Sequence, residues 1–268
     1  MLNRTPVGGL LREWRQRRRL SQLDLACDAG ISTRHLSFVE TGRALPSREM
    51  LLHLSEQLDI PVRERNVLLV AAGYAPSFPE RPLEDPALAS ARAAIDLVLA
   101  RQMPYPAFAI DRHWTIVSSN GALPELYDDI APELLAPPVN AMRLSLHPHG
   151  LAPRIANLAE WRAHLLFRLR RQVELTADTV LIELLRDVSG YAAPAGKPPP
   201  ASGLEHEIAV PFRIRIGSRV LSFFSMTTVF GTPVDVKLSE LALELFFPAD
   251  EETAAAVSRM TSSTGRPH

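Results

Sequence analysis

The stretch that most constrains this chain is Ser21 to Gly42, SQLDLACDAGISTRHLSFVETG. It reads as two short helices joined by a tight turn. Ser21 is placed to N-cap the first, with Leu20 and Leu25 at staple spacing around it. Gly30 falls where the chain turns sharply, a position that tolerates few side chains. Ser32 is placed to cap the second helix, and Ile31 and Leu36 repeat the staple. Leu36 and Val39 share one face of that helix, while Thr33, Arg34, His35 and Ser37 lie off it, mostly near its start. A helix that buries one side and offers hydrogen-bonding groups at its beginning suits a DNA major groove. Arg34 is long enough to reach guanine O6 and N7. Gln22, opening the preceding helix, is placed for a phosphate. The plainer alternative for this pattern is a helical hairpin with no DNA role.

The neighbouring residues extend the pattern. Leu10, Leu11 and Trp14 give an apolar face to a helix over residues 10–20, surrounded by Arg12, Arg15, Arg17, Arg18 and Arg19, part of which is expected on phosphates. Ser47 caps a fourth expected helix, REMLLHLSEQL, and Pro61 opens a fifth that ends at Gly73. The segments SQLDLA, GIS and ETGRALPS resemble the helix-turn-helix of the Xre family, the lambda-repressor-like regulators. That resemblance spans residues 1–75 and implies an all-α domain bound to a double-stranded DNA operator. The expected DNA-contacting residues are Gln22, Ser32, Thr33, Arg34, His35, Ser37 and Arg43. One such domain reads few base pairs, so a homodimer held mainly by the rest of the chain is expected.

Charge supports a division. Residues 1–75 hold 11 Arg and Lys against 8 Asp and Glu, whereas the whole 268-residue chain has net charge −1. A mildly basic head on an acidic body fits a nucleic-acid module joined to something else. PSFPERPLEDP, residues 76–86, is proline-rich and marks the expected linker. Cys27 is the single cysteine, so no intramolecular disulfide forms, and its place within the hairpin suggests a buried structural thiol. MLNRTPVGG lacks the apolar core of a signal peptide. The longest uncharged run, Val220 to Val234, is 15 residues and contains Ser, Thr, Gly and Pro. A soluble, cytoplasmic protein without membrane insertion is expected.

Residues 87–250 read as a second, α+β region. A helix at ALASARAAIDLVLARQ precedes a hairpin pattern in PAFAIDRHWTIVSSN. Helices follow, including the amphipathic AEWRAHLLFRLRRQVEL and one capped by Asp178. After a proline-rich loop, AAPAGKPPPASG, come two strands in HEIAVPFRIRI and RVLSFFSMTTVFG, turning at Gly217-Ser218. LSELALELFF reads as a closing helix and residues 251–268 as a disordered tail.

Long segments of this region, among them RLSLHPHGLAPRIANLAEWRAHLLFRLRRQ and FFSMTTVFGTPVDVKLSELALELFFP, resemble the MmyB-like transcriptional regulators. The resemblance covers most of the chain and implies a PAS-like ligand-binding domain, with a long-chain fatty acid as the ligand class. Phe108, Trp114, Leu165 and Phe223 are candidate apolar lining. Arg143 and Arg154, flanking His147 and His149, are candidate partners for a carboxylate, which Arg binds bidentately. Enzyme signals are missing: there is no GxSxG, P-loop, GxGxxG or HExxH, so no catalytic residue and no cofactor is expected. Two histidines without a Cys or paired carboxylates do not complete a zinc site, so no metal site is expected. The other readings are an enzyme or carrier with an accessory DNA-binding head, and a protein-interaction module.

Overall fold

The computed structural model describes residues 6–192, 210–231 and 235–264, with side chains described as far as Met260. The proline-rich loop expected at 192–203 lies, from residue 193, outside them. The chain forms two compact units: residues 1–82 with 232–239, and residues 83–231 with 240–268.

The first unit carries α1 (Val7–Arg17), α2 (Gln22–Asp28), α3 (Thr33–Glu40), α4 (Arg48–Gln57) and α5 (Val62–Ala71). The expected caps form. Ser21 and Asp24 make a reciprocal capping box on α2, and the Ser32 and Ser47 hydroxyls accept from His35 and Met50 backbone N–H groups. Gly30 adopts φ +62° between α2 and α3, where a β-carbon would be strained. Leu11, Trp14, Leu25, Leu36, Leu51 and Leu68 meet in one core. Gly8 lets α1 touch the end of α3: a β-carbon there would lie 2.2 Å from the Val39 carbonyl oxygen.

The proline-rich stretch is not a free linker as far as residue 82. The Asn66 side chain on α5 donates to the Phe78 carbonyl and accepts from the Ser77 and Phe78 N–H groups. Arg63 and Glu80 form a two-bonded pair at 2.7 and 2.6 Å. A short helix, Val236–Ser239, also belongs to this unit. Its Val236 N–H donates to the Pro79 carbonyl, and the buried Asp235 carboxylate accepts from Arg81. The expected contiguous second domain is corrected accordingly: its chain returns briefly to the first unit.

The second unit is built on an antiparallel sheet of order β2-β1-β5-β4-β3, with β1 Ala107–Ile110, β2 Ile116–Ser119, β3 Phe212–Ile216, β4 Arg219–Val229 and β5 Ala242–Pro248. Ahead of the sheet runs α6 (Ala89–Arg101). Between β2 and β3 come α7 (Pro132–Leu135), α8 (Ala141–Leu146), α9 (Leu158–Thr176) and α10 (Thr179–Ser189). The result is the α+β, PAS-like arrangement anticipated after a helix-turn-helix head.

Two expectations fail here. LSELALELFF is not a closing helix: Ala242–Pro248 is a strand paired with both β1 and β4. Residues 251–264 are not disordered but form a helix, started by Asp250, whose carboxylate accepts from the Thr253 N–H. Ala256 and Val257 bury against the sheet core. Among the described residues no helix is long and apolar enough to cross a membrane.

Candidate functional site

In the first unit, α3 presents its start to solvent. Ser32 and Arg34 are exposed, and Thr33 and Ser37 are half-buried. The Arg34 guanidinium lies 5.4 Å from the Phe38 ring and that of Arg43 lies 5.9 Å from it. One phenyl ring therefore supports two cations on the same outward surface, each contact worth about 0.5–1 kcal/mol when exposed. Sequence reading does not single out Phe38, although it stands one helical turn after Arg34.

Two of the expected contact residues also bond within the fold. A ring nitrogen of His35 lies 3.2 Å from the Met50 sulfur, so this side chain turns towards α4. Gln22 donates one amide N–H to the Glu40 carboxylate at 2.7 Å, which orients this half-buried side chain at the start of α2. Glu40 also receives a two-bonded Arg15 guanidinium at 2.6 and 2.9 Å. Burial pushes the Glu40 carboxyl up, but the hydrogen bonds from Arg15 and Gln22 and the charges of Arg15 and Arg12 hold it below its ordinary range. Arg18 donates to the Leu58 and Asp59 carbonyls at the end of α4. Arg15 and Arg18 are thus structural, which leaves Arg12, Arg17 and Arg19 exposed from that basic run. Cys27 is exposed, contrary to the buried thiol expected, because it lies on the opposite side of α2 from the buried Leu25 and Ala26.

In the second unit an apolar cavity of about 60 Å³ lies between the sheet and α8–α9. Phe108 and Phe246 come from strands, Trp114 from the β1–β2 turn, Met142 from α8, and Trp161 and Leu165 from α9. Of the expected lining, Phe108, Trp114 and Leu165 meet here. Phe223 does not line this cavity; it packs behind it, its ring 6.4 Å from that of Phe246. Arg143 and Arg154 are not brought to it either. Arg143 pairs with Asp187 at 2.7 Å on the surface, and Arg154 donates to the Leu126, Asp128 and Arg215 carbonyls.

The guanidinium that reaches the cavity is that of Arg168. It pairs with Glu244 on β5, reaches the Thr227 hydroxyl at 3.0 Å, and lies 4.8 Å from the Trp114 ring. The Trp114 indole N–H donates to Gln172 at 2.8 Å, and that of Trp161 donates to Ser145 at 2.9 Å. Both rings are therefore held by their polar ends while their faces line the cavity. Arg168 is legible in principle: positions 161, 165, 168 and 172 recur at helical spacing, so a charge at 168 falls on the buried stripe of α9.

An apolar cavity walled by a sheet and helices, with an indole, a guanidinium and a carboxylate at one side, suits a small amphipathic molecule. Residues 91–260 match the family of the MmyB-like transcription regulator ligand binding domain. The chain belongs to the MmyB-like transcription regulators. Residues 6–68 of this MmyB-like chain match a helix-turn-helix domain, in agreement with the α1–α5 unit. A protein of Methanoculleus marisnigri named "Putative HTH-type transcriptional regulatory protein" is 36% identical over 119 residues, which is 42% of this chain and 38% of that one. The chain thus matches well under half the length of this relative. As a member of the MmyB-like regulators, it joins a helix-turn-helix head to a ligand-binding domain.

Proposed function

We propose that this regulator binds its operator as a homodimer and that a long-chain fatty acid in the second unit alters the affinity for DNA. The observation that carries the ligand reading is the apolar cavity bounded by Trp114, Arg168 and Glu244. Its present volume holds roughly four to six water-sized groups, taking 10–15 Å³ for each. A long acyl chain therefore enters only as lining side chains part. That requirement gives the occupied and unoccupied states different shapes, and a ligand shifts DNA binding only through such a difference.

Calorimetric titration of the delipidated full-length protein with fatty acids of increasing length tests the reading. Burial of each methylene is worth about 0.8 kcal/mol, so affinity is expected to climb with chain length until the cavity is full. Affinity independent of length, or no binding at any length, refutes it. Sedimentation of the full-length protein, free and on operator DNA carrying an inverted repeat, tests the dimer. A monomer at micromolar concentration that loads one copy per repeat refutes that part.

A further inference from the structure

We propose that the anionic end of the ligand rests outside the apolar cavity, in a neighbouring groove where Arg171 receives it. This rests on the acyl-ligand reading and deepens it by placing the head group. Inside the cavity the wall charges are already matched. Arg168 is bound to Glu244, whose side chain is only 4% exposed, so a second carboxylate there would face a buried carboxylate. Like charges brought together out of water repel strongly, and among the described residues the cavity wall offers no further cation to offset them.

On the other side of Trp114 and Arg168 lies a groove of about 330 Å³ that shares both residues with the cavity. The partition between the two spaces is one indole and one guanidinium, stacked 4.8 Å apart. The groove also carries Asp111, Arg112, Arg171 and Glu240. One oxygen of the Asp111 carboxylate, Oδ1, accepts from the His113 and Thr115 N–H groups at 2.8 and 2.9 Å. Arg112 is shared between Asp178 and Glu240 at 3.5 and 3.7 Å, longer than the distances of direct charge-assisted hydrogen bonds. Arg171, one turn beyond Arg168 on α9, is exposed, and no hydrogen bond or ion pair joins it to any described residue. It is the groove cation with its full donor set available. An acyl tail that parts the Trp114–Arg168 stack would bring its carboxylate beside Arg171, and the carboxylate would need no donor from the Arg168–Glu244 pair.

The experiment uses delipidated full-length protein and two probes with the same tail, decanoate and decanol, in wild type, Arg171→Ala and Arg171→Glu. Calorimetry gives the ratio of the two affinities in each. The proposal expects Arg171→Ala to lower the decanoate-to-decanol ratio about two- to fivefold, the range of a partly exposed ion pair. Arg171→Glu should lower it further, and decanol affinity should stay the same in all three. An unchanged ratio in both variants, with both probes still binding, overturns the head-group placement and leaves the acyl reading standing. Failure of wild type to bind either probe, together with no binding at any length in the fatty-acid series, overturns the acyl reading itself, and the placement with it.

Discussion

At the scale of residues, the two candidate surfaces rest on different chemistry. Arg34 is a long cation at the start of α3, braced on Phe38, and so suited to bidentate contact with guanine. Arg34→Ala is expected to lose about 1–3 kcal/mol of preference for operator over random DNA, read by competition binding at fixed salt. Phe38→Leu should lose part of the same preference, because it removes the ring on which Arg34 and Arg43 lie. Glu40 plays a structural part: it ties α1 to α2 and α3 through Arg15 and Gln22. Glu40→Ala leaves the Arg15 guanidinium buried without its partner and should cost about 3–5 kcal/mol in unfolding free energy. The pH dependence has a definite sign. The folded pKa of Glu40 lies below its unfolded value, so its contribution is fully present above the ordinary carboxylate range. It is lost as pH falls through the lowered folded value. Acid titration of the wild type and Glu40→Gln should therefore converge in stability at low pH and separate above it.

At the scale of elements, α1 and α3 depend on a missing side chain. Gly8 brings the α1 backbone against the Val39 and Glu40 carbonyls, where an added β-carbon would be as close as 2.2 Å. Gly8→Ala should destabilise the first unit by about 1–3 kcal/mol, seen as a lower denaturant midpoint at unchanged slope. The sequence showed the caps and turns of this unit well, because Ser21, Ser32, Ser47 and Gly30 act on backbone groups a few residues away. It showed β5 badly. In Ala242–Pro248 apolar residues lie on both faces, Phe246 on the cavity side and Leu243, Leu245 and Phe247 on the other, so the apolar–polar alternation that marks a half-exposed strand is absent. The run LALEL then has the look of a helix, and only pairing with β1 and β4, distant in sequence, decides otherwise. The same distance hid the site. Arg168 and Glu244 stand 76 residues apart and acquire meaning only when α9 crosses β5. Arg143 and Arg154 looked suitable from their neighbours, but nearby carboxylate and carbonyl groups claim them.

At the scale of the whole molecule, the two units are not consecutive lengths of chain. The polypeptide passes from the first to the second after residue 82, comes back for residues 232–239, and leaves again. Val236, fully buried beside the Pro79 backbone, is sewn into a body made otherwise from the opposite end of the sequence. A protease that cuts once in residues 83–86 would sever the backbone there, yet the larger fragment would still hold part of the smaller one's interior. The nicked protein should therefore elute as a single species under native conditions and come apart only in denaturant. Val236→Asp should let the nicked halves separate, since a charge cannot occupy that buried place without loosening the stitch. For anyone dividing the chain to study its head alone, a head that stops at residue 82 is a garment with one seam already unpicked.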